Sequence, residues 1–339
     1  MRRAALSATT ALLIASLLLL ATGNNPFEAI GVLISGSFGS SDKIADTIMA
    51  WAPLALAGAG LVVTFSAGLW NIGVEGQVIA GAIVATAVAR TMPGPGWGVM
   101  VAALIAGVVG GAVWGVAAGL LRTRGGVNEI FGGLGLGFVA QAFATYLVIG
   151  PWKREGIAST SGTDLFREDV WLPTVAGTRL SLAPVVVTIG VLWWVAWVLK
   201  STRFGLELRA VGKNLASARL VGIRSEPVML SAFAIGGGTA GLAGAFVTMG
   251  IQHKLVPAVA GGRGFLAILV VLLAAYAPRW VGPVALFFAA ISVGSSQLNL
   301  RLDLDSSLGG VLQGVVVLVA VLVAGWQLQR KMKSEEEAL

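Results

Sequence analysis

Cysteine is absent from this 339-residue chain, histidine occurs once, and charged residues make up only 12%. Without cysteine there is no disulfide and no thiolate metal ligand, and His253 alone cannot build a histidine metal site. No G-x-x-x-x-G-K-[ST] element occurs, so the chain does not bind ATP through a P-loop of its own. No Ser/His/Asp set or carboxylate pair marks an enzyme. Nor does a ladder of Asp, Glu and His cross the apolar runs, as proton-coupled carriers require. Lysine and arginine outnumber aspartate and glutamate, 23 to 16, but they lie between apolar runs and form no stripe with aromatic platforms. Nucleic acid is thereby excluded as a partner.

What the chain does contain is apolar. With 56% hydrophobic residues and a mean hydropathy of +0.87, it has too little polar surface to cover a soluble globule. Candidate spans lie near 4–22, 48–66, 77–91, 97–121, 130–150, 184–200, 227–251, 265–277, 281–298 and 308–327. The expected fold is all-α: a polytopic membrane protein of about ten transmembrane helices, forming one transmembrane domain over 1–339. The first run, between Met1-Arg-Arg and Ala21-Thr-Gly, also partly matches a secretory signal, although no A-x-A cleavage site follows it. Either reading leaves the later topology unchanged.

Cations orient the spans. Arg2, Arg3, Arg122, Arg124, Arg279 and the Arg330–Lys333 cluster fall on one side, together with a basic island described below. The positive-inside rule makes that side cytoplasmic, with both termini inside and the long 151–183 loop outside. Ten spans divide into two five-helix halves of opposite orientation, about 1–150 and 184–327. In each half the third span follows a glycine-rich break: Gly68-Leu-Trp-Asn-Ile-Gly-Val-Glu-Gly-Gln77 and Pro257-Ala-Val-Ala-Gly-Gly-Arg-Gly264. Breaks at corresponding positions of inverted halves point to a transport pathway, because non-helical backbone at membrane depth survives only where protein or water satisfies it.

The first break carries Asn71, Glu75 and Gln77. A carboxylate and two amides can hydrogen-bond a polyhydroxylated or heterocyclic solute, which makes these three the candidate substrate pathway. The plainer alternative for Glu75 is a solvated loop residue or a cap for the next helix. Asn128 and Glu129 read as a helix start. Gly107, Gly111, Gly115 and Gly119 recur every four residues and form a smooth face for close helix packing. Trp193, Trp194 and Trp197 read as interfacial or packing aromatics.

The island runs from Lys200 to Arg224, within a segment at 200–226, and carries six cations against Glu207. Asn214 is a good N-cap and Gly222 a good helix stop, so 215–221 reads as a short helix of about two turns. Leu208, Val211, Leu215 and Ala218 follow helical spacing beside Arg209 and Arg219, the pattern of a mixed apolar and charged docking surface. A short capped helix between two spans is a handle for a cytoplasmic partner.

Gly68–Gln77, Arg203–Ile223 and Gly262-Arg-Gly-Phe265 together resemble the permease subunits of bacterial nucleoside and simple-sugar ABC importers, which belong with the ribose and branched-chain amino-acid permeases. The likeness runs over nearly the whole chain. It implies that the island is a coupling helix docking into an ATPase, with Arg209, Asn214, Arg219 and Gly222 as its coupling residues. It also implies a second homologous permease, an extracytoplasmic substrate-binding lipoprotein, and ATP and Mg held by the partner ATPase, with no cofactor on this chain. The expected setting is the bacterial cytoplasmic membrane, in contact with its lipid. The expected function is inward movement of nucleosides or related sugar-like solutes by alternating access. A gradient-driven carrier of the same solutes is the alternative.

Overall fold

The computed structural model describes residues 25–154, 156, 161–302, 310–311, 313–315 and 318–319. Among the described residues the chain is all-helical, with no strand. The helices are α1 (Pro26–Phe38), α2 (Ser41–Ser66), α3 (Val74–Thr91), α4 (Gly96–Thr123), α5 (Glu129–Ile149), α6 (Leu182–Ser201), α7 (Arg203–Lys213), α8 (Leu215–Leu220), α9 (Ser225–Val247), α10 (Arg263–Leu273) and α11 (Pro278–Leu302). Among the described residues six segments are long and apolar enough to cross a membrane: α2, α4, α5, α6, α11 and Ser225–Gln252, which extends α9 by a π-helical turn. The expected span 4–22 lies outside the described residues, and so does most of 308–327.

The chain divides into two compact units. One holds the described residues up to Thr47 and from Leu286 onward. Within it α1 packs on the later part of α11: Gly36 lies against Gly294, and Ser37 Oγ donates to the Ala290 carbonyl. Ala29, Val32 and Leu298 form its core. Asn25 starts α1 by accepting from Phe27 N, with Pro26 at the first helical position.

The second unit, Ile48–Ala285, holds the closest helix packing. The four-residue glycine row of α4 meets α9, which answers with glycines of its own. A Cβ on Gly111 would collide with the Gly237 carbonyl and stand 2.5 Å from Gly241 Cα, and one on Gly107 would stand 2.7 Å from Ala245 Cβ. On α3, Gly81 faces Gly241, so three helices share one seam at backbone distance. Lipid offers no hydrophobic drive for such contacts, and close van der Waals packing supplies the attraction instead. Trp193, Trp194 and Trp197 point outward from α6, 69%, 38% and 48% exposed, as lipid-facing aromatics do.

The long loop after α5 is stitched to the end of α9. Thr163 N and Phe166 N donate to the carbonyls of Leu255 and His253, and Leu172 N reaches the Met249 carbonyl in the π-helical turn. The His253 ring stacks on Trp171 with centroids 3.9 Å apart, and its Nδ1 lies 3.1 Å from Met249 O. The lone histidine thus serves packing.

Candidate functional site

The polar break after α2 reverses the chain in a few bonds. Ala67 N and Leu69 N both donate to the Thr64 carbonyl, and Gly68 adopts φ +72°, a left-handed conformation that glycine tolerates without strain. Asn71 follows, 1% exposed, and Gln77, fully buried, lies in the first turns of α3. Their amides pair reciprocally: Asn71 Nδ2 donates to Gln77 Oε1 and Gln77 Nε2 to Asn71 Oδ1, each at 2.9 Å. The two residues therefore lock the loop to the helix it starts. Leaving either amide unmatched at such burial would cost about 1–3 kcal/mol.

Glu75 joins the two breaks. Its Oε1 accepts from Gly262 N at 2.8 Å and its Oε2 from Gly264 N at 2.6 Å. Gly262 is the N-cap residue of α10 and has φ +76°, so the carboxylate closes the amino end of α10 where no side chain of that segment does. Glu75 also sits in the first turn of α3, whose N-cap Gly73 offers no side-chain bond. One negative charge thus faces the positive ends of two helices. Glu75 thus caps a helix whose N-cap residue lies 187 positions further along the chain, not its own helix. Gly264 is pressed against Glu75: a Cβ there would stand 2.6 Å from the Glu75 backbone. Arg263 turns back, its Nη1 donating to the carbonyls of Val259 and Ala260.

A cavity of about 140 Å³ opens beside this joint, lined by Ile72, Glu75, Leu134, Phe138, Gln141 and Phe265 among others. Gln141 projects from α5, and its Nε2 donates to the Pro257 carbonyl of the second break. Sequence reasoning passed over it, although a lone amide inside an apolar span is the signal for such a residue. Beyond Gly68, a second cavity of about 120 Å³ is lined by Phe65, Leu69, Trp70 and Tyr276. Among the described residues no group of three or more metal-ligating side chains comes together.

The island folds as two helices. Thr202 caps α7 by accepting from Gly205 N, and Arg203 pairs with Glu207 one turn on. Asn214 caps α8 through Ser217 N, as expected. After Leu220 the chain closes with paired bonds, Gly222 N to the Arg219 carbonyl and Ile223 N to the Ala218 carbonyl, with Gly222 at φ +84°. This is the Schellman arrangement, in which the left-handed residue is usually glycine. The expected apolar docking row is corrected: Leu208, Val211 and Ala218 are buried in the chain's own core, and Leu215 is half-buried. Helix α7 runs through Gly212 without a break, so its apolar stripe serves the interior. Leu220 and Val221, 88% and 76% exposed, stand at the tip instead. Arg209 and Arg219 are exposed, with Arg219 Nε on Ser225 Oγ.

Helix starts that meet among membrane-length helices, with glycine where backbone must approach backbone, are the construction of a transporter's membrane subunit. The chain belongs to the family of branched-chain amino acid transport system permease components, whose profile matches residues 43–321. It is similar to the glucose ABC transporter permease protein of Haloferax volcanii, 31% identical over 93% of this chain and 86% of that protein. It is also similar to the guanosine ABC transporter permease protein of Bacillus subtilis, 26% identical over 89% and 88%. The nucleoside ABC transporter permease protein of Lactococcus lactis is 26% identical over 84% of this chain and 80% of that one. The chain is a multi-pass membrane permease of an ABC transport system, a transport subunit rather than an enzyme, and in this family the ATPase is a separate subunit.

Proposed function

We infer that this permease imports nucleosides or related sugar-like solutes into the cytoplasm by alternating access, driven by ATP. The observation that carries this reading is the bond pair from Glu75 to Gly262 and Gly264, which joins the breaks of both halves beside a cavity. Aromatic rings of Phe138 and Phe265 with the Gln141 amide suit a flat or hydroxylated neutral solute. Asn71, Glu75 and Gln77 shape that path, the two amides by holding the loop and Glu75 by lining the cavity. The relatives named for guanosine, nucleosides and glucose lie in the same solute range.

In this reading ten spans form one domain over 1–339, with halves 1–150 and 184–327 and the 151–183 loop on the periplasmic side of a bacterial cytoplasmic membrane. Both termini are cytoplasmic. The 200–226 segment is the coupling element: Asn214 and Gly222 define α8, and Arg209 and Arg219 flank the apolar tip of Leu220 and Val221 that enters the ATPase. ATP and Mg reside on that partner. A second homologous permease and a substrate-binding lipoprotein complete the importer.

The test is uptake of labelled nucleosides and sugars by proteoliposomes holding the assembled complex. Accumulation that requires ATP and the binding lipoprotein is expected, whereas ATP-independent uptake would make the chain a gradient-driven carrier. A single cysteine at Ser217 checks orientation, since the chain has no other: labelling by an impermeant reagent from the periplasm would reverse the topology.

A further inference from the structure

The loop between α2 and α3 is gripped by backbone at both ends. At its start lies Gly212, in the last turn of α7. A Cβ on Gly212 would collide with the Ser66 carbonyl and stand 2.9 Å from Gly68 N, and one on Gly68 would stand 3.1 Å from both Gly212 Cα and its oxygen. At its end, a Cβ on Gly73 would stand 2.9 Å from Gly133 Cα of α5. Between the two contacts, Leu69 is buried and Asn71 is locked to Gln77. Glycine inside a helix costs about 0.5–1 kcal/mol relative to alanine, so α7 carries a residue at 212 that helix propensity opposes. The close approach to Ser66–Gly68 supplies the reason.

We propose that the Gly212–Gly68 contact is the joint that passes displacement of the basic island to Glu75 and the start of α10. It rests on the reading that the island docks the ATPase. A contact between backbones has no side chain in it, hence no rotamer that can absorb a displacement. Motion of α7 therefore shifts Gly68, and the chain from Gly68 to Gln77 is too tightly bonded to lag behind. Because Glu75 holds Gly262 and Gly264, the same shift reaches the second break. Coupling between distant sites travels through such chains of packed, two-position elements. Gly212 and Gly68 are positioning residues, with no contact to solute required of them.

The test uses the full complex of both permeases, the ATPase and the binding lipoprotein in proteoliposomes, carrying Gly212→Ala. The ATPase should remain bound at wild-type stoichiometry and hydrolyse ATP, while solute moved per ATP falls about tenfold or more. A wild-type ratio of solute to ATP overturns the joint. So does loss of the ATPase from the complex, since the defect would then lie in docking. If Gly212→Ala does not accumulate, spin labels on Trp70→Cys and Lys213→Cys decide. A distance between them that stays constant through the ATP cycle supports the joint, and one that changes with nucleotide state overturns it. Arg219→Glu probes the underlying reading separately: retained ATPase binding there refutes the docking site.

Discussion

Glycine brings backbones together both in the seam of α4 with α9 and at the meeting of α7 with the loop after α2, yet the two contacts are built differently. The seam is several turns long, and each side is a regular helix whose peptide groups are satisfied within it. The joint sets a single residue of α7 against the left-handed turn at Ser66–Gly68, and leads straight into hydrogen-bonded polar side chains. A long contact fixes distance and angle together and resists shear, whereas a single-residue contact fixes distance alone. The seam therefore belongs to the frame of the permease and the joint to its moving parts.

Gly111→Leu should show the largest effect, because the added side chain meets the Gly237 carbonyl and Gly241 backbone with no room to move. We expect destabilisation of about 3 kcal/mol or more, read as loss of folded protein and a lowered Tm in detergent. Glu75→Gln should leave insertion and ATPase binding intact while uptake falls roughly tenfold, since the amide nitrogen sets a donor against a backbone N–H. Asn71→Ala strands the buried Gln77 amide and should cost about 1–3 kcal/mol in thermal stability. The double change Asn71→Leu with Gln77→Leu should cost less than the two single leucine changes added together, and a cycle of the wild type, both singles and the double measures the pairing.

The smallest effect belongs to Asp169, which lies against Gly96 at the start of α4, ahead of the glycine row. Its hydrogen bond to Arg167 holds the carboxyl below the usual carboxylate range, so any contribution is present above that range and disappears as pH falls through the lowered value. Both side chains are exposed and water screens the pair. Asp169→Asn should leave uptake at neutral pH unchanged and flatten only the acid side of a plot of Tm against pH.

Local signals were legible in the sequence and tertiary ones were not. Asn214 and Gly222 announce the ends of α8 because a cap depends on residues within four positions. The four-residue glycine row announced a close contact, although its partner on α9 could not be named. Of the ten expected spans, six are membrane-length helices among the described residues, legible because a bilayer demands a continuous apolar run, whereas α3 and the 11-residue α10 are not among those six. By contrast, Asn71 and Gln77 read as groups free for a solute, and only the folded loop reveals that they satisfy each other. The apolar row Leu208, Val211, Leu215 and Ala218 had the right spacing for docking, but periodicity does not say whether a stripe faces a partner or the chain's own core. Helix α1 begins on the readable pair Asn25-Pro26, yet its 13 residues fall short of a span and escaped a search by hydropathy.

The cap on α10 has a consequence for how the protein is made. The bonds from Glu75 join residues separated by 187 and 189 positions. A ribosome adding about 5–20 residues per second needs roughly 10–40 s to reach Gly262 after it has placed Glu75. Throughout that interval the first half has been synthesised with a carboxylate whose eventual donors do not yet exist. The glycines of α4 wait in the same way for Gly237 and Gly241. Assembly of this permease is thus a late event in its biosynthesis: helices delivered early must be tolerated by lipid, insertion machinery or transient neighbours until residue 264 arrives and the bonds to Glu75 can form.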